Sequence, residues 1–289
     1  MTGYDISTVG TLPHSNIHGQ FEVYQGDILS MGELIARTRN KDIVLHLAGV
    51  SGIAESRQSP RKTYLANTMG TVNVLEACRV NKPNAVVVAT SNHVYGSQPV
   101  QPHNEEASLN DLDTYSVSKI CADYIARSYG LSYNMNTAVI RNTNCFGIGD
   151  PHNDHIVPGT ILSILRGQSP IIRSTGKIRK GYLYVDDVAE AYLDVGEWLS
   201  LNPNKCGEVF NVAAEPVSTH SLVSLICKLM DYDRKITTNN QPTPEEHQWL
   251  DDSKIREQVG WKPRHTLEEG LIKTIEWFRT QEVNRNENE

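Results

Sequence analysis

A hydroxyl at Ser91, a phenol at Tyr115 and an ammonium at Lys119 are the side chains of this sequence best suited to move a proton. Ser91 lies in Thr90-Ser-Asn-His-Val-Tyr-Gly96, directly after the apolar run Ala85 to Ala89. That valine-rich run reads as a buried strand, which puts Ser91 at the carboxyl end of a central strand, where open α/β sheets hold their ligands. Tyr115 and Lys119 are four residues apart in a segment of helical apolar spacing, Thr114 to Gly130, so both leave one helix face. An ammonium beside a phenol favours the phenolate and is expected to lower the tyrosine from its ordinary pKa of about 10. The three together make a site that removes a proton from an alcohol. Asn92 and His93 follow Ser91 directly. His93 can carry a proton, with an ordinary pKa of about 6.5, whereas Asn92 has the shape of aspartate but no proton to transfer.

The elements that must position these groups alternate along the chain. Strands are expected at Gly3 to Ser7, Phe21 to Ile28, Asp42 to Gly49, Ala85 to Ser91 and Asn136 to Arg141. Helices are expected at Gly32 to Arg37, Asn67 to Val80 and Thr114 to Gly130, an order that builds a parallel sheet with helices on its faces. Alternation is less regular later, with helices near Thr160 to Arg166, Val188 to Leu199, Ser221 to Met230 and Leu267 to Thr280, and a polar tail from Val283.

Bulk properties narrow the function. The chain has 289 residues, 39% hydrophobic and 21% charged, with a net charge of −7, which argues against a nucleic-acid or anionic-membrane binder. No apolar run reaches the ~20 residues that cross a bilayer, and the N-terminus lacks the basic and apolar regions of a secretory signal. Five scattered cysteines without a C-x-x-C pair read as reduced packing residues of a cytoplasmic protein. His152 and His155 in Pro-His-Asn-Asp-His suggest a metal, but the reading adopted is a loop lining a polar cleft, with no metal ligands.

The chain resembles the NAD-dependent epimerase/dehydratase family, the extended short-chain dehydrogenase/reductases. The residues that carry the resemblance are Gly26-Asp-Ile28, His46-Leu-Ala-Gly49, Asn67-Thr-x-Gly-Thr-x-Asn73, Thr90-Ser91-x-x-Val-Tyr-Gly96 and Tyr115-x-x-x-Lys119. Arg141-x-x-Asn144-x-Phe-Gly147, Tyr184-Val-Asp-Asp187 and Gly260-Trp261-x-Pro263 continue it in family order to the C-terminal helix. The resemblance implies a Rossmann-like doubly wound parallel sheet with a smaller C-terminal α/β substrate-binding region. It implies a shortened NAD-binding domain over residues 1–150 and a mainly nucleotide-sugar-binding region over 151–289, some of whose segments return to the first domain.

By the same resemblance Asp5 would bind the adenosine ribose, Asp27 and Ile28 the adenine, and Leu47, Ala48 and Gly49 would line the nicotinamide side. Asn67 would brace the catalytic groups and Lys119 would bond the nicotinamide ribose. Asn144, His155, Val157 and Arg173 would line the nucleotide-sugar cleft, and Arg179 or Lys180 would hold the diphosphate. The family opens on a strand, a Gly-rich phosphate-binding turn and a helix. Nothing like that turn precedes Asp5, so the first strand and helix are expected to be missing from the sheet and its neighbours' edges exposed.

The implied chemistry is transient oxidation of the sugar at C4, with Tyr115 taking the hydroxyl proton, Ser91 holding the oxygen and NAD as the redox partner. A 4,6-dehydratase like those acting on CDP-glucose or GDP-mannose is the reading adopted. A 4-epimerase and a catalytically silent sugar-nucleotide-binding homologue are the alternatives. Family dehydratases generally carry aspartate and then glutamate or lysine where this chain has Asn92 and His93, so its acid–base pair departs from the pattern. The partners implied are a nucleotide-diphosphate sugar and a second copy of the chain in a homodimer, with no nucleic acid and no membrane.

Overall fold

The computed structural model describes residues 1–6, 22–239 and 248–286. The chain forms two units, each assembled from several stretches of sequence. The first comprises Met1–Gly96, Ser108–Arg141 and Tyr192–Phe210, the second Ser97–Ala107, Asn142–Ala191 and Asn211–Glu289.

In the first unit β1 (Thr2–Asp5) and β2 (Glu22–Gln25) pair in parallel, Thr2 with Glu22 through Asp5 with Gln25. Helix α1 (Met31–Thr38) leads to β3 (Ile43–His46). Two short helices, α2 (Ile53–Gln58) and α3 (Pro60–Tyr64), run through a π-helical turn at Leu65–Met69 into α4 (Gly70–Asn81). After β4 (Ala85–Ala89) come the 3-10 turn Asn92–Tyr95, helix α5 (Thr114–Tyr133) and β5 (Thr137–Asn142).

The β3, β4 and β5 strands are parallel neighbours, Val44 opposite Val86 and Val88 opposite Val139. Side chains alternate between the faces of a strand. Val44, Val86, Val88 and Val139 therefore share one face, where they pack with Leu34 of α1, Val74 and Leu75 of α4 and Ala126 of α5. Ile43 and Leu45 face the other way, and Gly196 lies against both. Helices on both faces explain why β4 is an unbroken run of buried apolar residues.

The sheet is interrupted where the missing strand was expected. β1 and β2 form a sheet of their own, and β3 is the edge of a second sheet ordered β10-β5-β4-β3, where β10 is Glu208–Val212. No strand joins β1 to β3 among the described residues. The consequence is visible in burial: Val86, Val87 and Val88 of β4 are sealed, whereas Ile43 of β3 is exposed and all of β1 is only half-buried.

The second unit is built around α6 (Ile156–Leu165), α8 (Thr219–Leu229) and α10 (Leu267–Asn286). Phe146, Val157, Ile161, Tyr184, Leu222, Ile226, Leu271 and Phe278 form its core. Short strands flank that core: β6 (Asn144–Phe146) pairs in parallel with β9 (Tyr182–Tyr184), β7 (Ile171–Ile172) in parallel with β12 (Thr237–Thr238), and β8 (Arg179–Lys180) antiparallel with β11 (Val217–Ser218), while α9 (Ser253–Gln258) precedes α10. Helix α7 (Val185–Leu201) begins in this unit and ends in the first.

Several element ends differ from the sequence reading. Helix α5 continues past Gly130 to Tyr133 and closes on Asn134 in the left-handed region, which asparagine tolerates. The chain after Val283, expected to fray, remains helical to Asn286, and residues 287–289 lie outside the described residues. Ser7 and Phe21, expected at strand ends, also lie outside them.

Candidate active site

The hydroxyl of Ser91 sits where the strand reading placed it, just past β4, in extended backbone. Its Oγ accepts the His93 N–H at 3.2 Å, capping the 3-10 turn, and donates to Asn92 Oδ1 at 3.3 Å. Asn92 is thus buried with its amide oxygen turned to the serine, an orienting contact. Asp113 caps α5 by accepting the Tyr115 N–H at 3.1 Å and is itself held by Arg57 at 2.7 Å. That cap sets Tyr115 in the first turn, with Lys119 one turn further on the same face.

The His93 ring stands edge-on to the Tyr115 ring, with centroids 6.0 Å apart and planes at 78°. Ser91 hydrogen-bonds the phenol. Ser91, Asn92, His93 and Tyr115 therefore form one cluster, and Lys119 lies buried behind it.

The acid–base balance differs from the sequence expectation in one respect. Burial pushes the Tyr115 phenol above its ordinary range, and the Ser91 hydrogen bond offsets only part of that. Lys119 does not lower it here. Its Nζ donates to the Ala89 carbonyl at 3.2 Å, and burial pulls its own pKa down to about 8. Desolvation sets the direction of both shifts, since withdrawal from water disfavours the charged form of each group.

Asn67 ties the pieces together. Its Nδ2 donates to Val50 O at 3.0 Å and Ser118 Oγ at 2.9 Å, and its Oδ1 accepts the Val50 N–H at 2.7 Å. The loop after β3 is thereby fixed to α5 beside Lys119. Gly49 makes this approach possible: a Cβ there would stand 2.6 Å from Asn67 Oδ1 and 3.6 Å from Lys119 Nζ. Leu47 remains exposed at the mouth of this loop, with Ala48 half-buried. Asp5 ends β1 and accepts the Gly26 N–H through its carbonyl, 2.8 Å away. Asp27 is exposed and closes a turn by accepting the Leu29 N–H at 2.9 Å, while Ile28 packs on Gly70.

Sequence reasoning gave no role to two buried groups here. His46 bonds Thr71 Oγ1 through Nε2 at 3.0 Å, and burial plus the Lys119 charge lowers its pKa to about 3, so it is neutral. Arg141 donates to Asp123 at 2.8 and 3.1 Å and to Tyr95 Oη at 2.9 Å, all three buried. Asp123 is one helical turn beyond Lys119, and Tyr95 ends the turn that carries His93, so this trio fixes α5 to the Ser91 turn. The signal was the i, i+4 continuation Tyr115, Lys119, Asp123 along one face.

The expected sugar-nucleotide residues all fall in the second unit. Asn144 Nδ2 donates to Gly181 O at 3.0 Å, and Arg173 donates to the Asp154 carbonyl at 3.2 Å. Arg179 lies over the Trp249 ring and bonds Pro216 O, and Lys180 sits beside it on β8. His155 Nδ1 meets Asp150 at 3.0 Å. The Val157 side chain is turned into the helical core, 2% exposed.

A family model described as the NAD dependent epimerase/dehydratase family matches residues 2–213. The chain belongs to that family. A trifunctional UDP-glucose 4,6-dehydratase/UDP-4-keto-6-deoxy-D-glucose 3,5-epimerase/UDP-4-keto-L-rhamnose-reductase of Arabidopsis thaliana is 30% identical over 283 residues, 94% of this chain and 41% of the plant protein. The chain thus spans about two fifths of the length of the plant relatives it matches. The dTDP-glucose 4,6-dehydratase of Shigella flexneri is 28% identical, covering 87% of this chain and 76% of that protein. Among solved structures, the UDP-glucose 4-epimerase of Thermotoga maritima with UDP-glucose superposes with a TM-score of 0.87 at 24% identity, over 97% of this chain and 91% of that one. At that identity the likeness shows the fold.

The NAD dependent epimerase/dehydratase family takes a nicotinamide dinucleotide, and the residues around Lys119 fit its nicotinamide–ribose half. The groups present there are a buried ammonium, an amide braced by the Val50 backbone and a glycine where a Cβ would crowd both.

Proposed function

We propose that this chain is a nucleotide-sugar 4,6-dehydratase working through transient oxidation at C4. The observation that carries the reading is a second proton-transfer group, His93, edge-on to Tyr115 on the turn that holds Ser91. NAD, when bound, would accept hydride from C4 and return it, to C6 in a dehydratase or to C4 in an epimerase.

The chain's own residues account for the proton steps. Tyr115, in its phenolate form, takes the proton of the sugar 4-hydroxyl while Ser91 holds that oxygen, its orientation set by Asn92. Loss of hydride and proton leaves a 4-ketone, which acidifies the C5 hydrogen. His93 removes the C5 proton and delivers it to the hydroxyl leaving C6, so one water departs. The proton stored on Tyr115 balances the one that C5 regains. Lys119 would keep a positive charge beside the site and bond the nicotinamide ribose, Asn67 holds the Val50 loop, and Ala48, Gly49 and Leu47 would line the nicotinamide. Asp5, Asp27 and Ile28 serve the adenosine end.

In this reading the second unit binds the sugar nucleotide through Asn144, His155 and Arg173, with Arg179 or Lys180 at the diphosphate. Two copies would pair through α4 and α5, whose exposed Val80, Tyr124, Leu131 and Tyr133 supply apolar surface. One observation favours the 4-epimerase instead. Asn92 cannot transfer a proton, and an epimerase needs none beyond that of Tyr115.

The test is turnover on CDP-, GDP-, UDP- and dTDP-hexoses with NAD supplied, read as the alkaline absorbance of a 4-keto-6-deoxy product. Tyr115→Phe is expected to lower kcat by about 10²–10⁴-fold. His93→Ala should abolish the dehydrated product while leaving C4 oxidation measurable. An isomer as the sole product would establish the epimerase, and sugar-nucleotide binding without turnover would establish the silent homologue.

A further inference from the structure

Outside the proposed catalytic cluster, the loop leading into α6 brings together side chains of which the reading above uses only His155, as a sugar-nucleotide contact. His152, Asp154 and His155 each present a ligand atom, and these atoms lie within 4.8 Å of one another. The two imidazoles are stacked, centroids 4.7 Å apart and planes at 29°. Asp150 stands behind them, its Oδ2 3.0 Å from His155 Nδ1 and its Oδ1 accepting the His152 N–H at 2.9 Å.

We infer that His152, Asp154 and His155 form a binding site for a divalent transition-metal ion, Zn²⁺ foremost. Two imidazoles and a carboxylate are the ligand types such ions take, whereas Mg²⁺ and Ca²⁺ prefer sites made wholly of oxygen. Asp150 adds what distinguishes a metal-binding histidine from a surface one. A carboxylate on Nδ1 fixes the ring and leaves Nε2 as the electron-pair donor toward the ion. Ligands around a tetrahedral zinc, with bonds of about 2.0–2.1 Å, stand roughly 3.3 Å apart. Closing from 4.8 Å is a shift of about 1.5 Å at most, to which exposed Asp154 can contribute while His155 keeps its Asp150 contact.

The backbone beneath them is set. Gly159 lies against the Asn153 carbonyl, where a Cβ would come within 2.9 Å, and the His155 N–H is bonded to His152 O at 2.9 Å. Asp150 and Asp154 together balance the charge of a divalent cation. Three protein ligands leave one coordination position for an oxygen of water or of a phosphate.

The test is titration of the full chain with ZnCl₂ against a chromophoric chelator. A single strong equivalent is expected, lost in the double variant His152→Ala/His155→Ala and weakened about 10–100-fold in Asp150→Asn. X-ray absorption of the zinc-loaded protein should show nitrogen and oxygen neighbours with imidazole scattering. Unchanged affinity in the double variant, a sulfur shell from the cysteines, or displacement of Zn²⁺ by equimolar Mg²⁺ would each overturn the assignment. The outcome does not depend on turnover, so it stands or falls apart from the dehydratase reading.

Discussion

At His46 the imidazole is sealed beneath the site, bonded to Thr71 and close enough to feel the Lys119 charge. Its pKa of about 3 in the folded protein lies well below the ordinary value. Between pH 6.5 and about 3 the unfolded chain binds the extra proton and the folded one does not, so stability is full above pH 6.5 and falls as acid approaches the folded value. At pH 5 this single group accounts for about 2 kcal/mol of lost stability. Urea unfolding of His46→Asn is expected to be less steep in pH over that window than wild type. Parallel slopes would show that His46 is protonated in the folded state. Burial acts in the other direction on Tyr115, raising the phenol and disfavouring its phenolate, with the Ser91 hydroxyl offsetting part of that.

Among the elements, α5 carries the most consequence, because it holds Tyr115 and Lys119 and is fixed at both ends. Asp113 caps its start, Arg141–Asp123 clamps its middle, and Gly130 seats its last turns. Ala is favoured over Gly in a helix by about 1 kcal/mol, so propensity alone would make Gly130→Ala stabilising. A Cβ there would meet Gly207 N and Thr137 Oγ1, both at 2.5 Å, and the first is backbone that cannot rotate away. Overpacking of about 1–3 kcal/mol should win. Gly130→Ala is expected to melt several degrees below wild type in a thermal scan. The π-helical turn at Leu65–Met69 has a related purpose, since it presents Asn67 to both the Val50 loop and Ser118.

On the scale of the whole molecule, the break between the two parallel sheets of the first unit matters most. Among the described residues β1 and β3 each have a strand neighbour on one side only, whereas β4 is paired on both. Backbone groups paired only on one side open more readily. Hydrogen–deuterium exchange should therefore be faster in Thr2–Asp5 and Ile43–His46 than in Ala85–Ala89. Equal protection would mean that the gap is closed in solution.

What the sequence determined by itself was local and periodic. Alternating strands and helices, the valine run of β4 and the i, i+4 pair on α5 follow from backbone periodicity, so the parallel sheet and the Ser91–Tyr115–Lys119 site were legible before any coordinates. The break between β1 and β3, seen among the described residues, is a matter of strand order that periodicity alone does not settle. Tertiary structure decided the rest. Only packing shows that Lys119 turns to the Ala89 carbonyl and that burial outweighs its charge at Tyr115, because desolvation depends on everything surrounding a group. Only packing brings Asp123, Arg141 and Tyr95 to one buried point, since they come from a helix, a strand and a turn far apart in sequence. The metal cluster sits between these cases: His152 and His155 are visible as a pair, but the stacking of their rings and the carboxylate behind His155 exist only once the loop is folded.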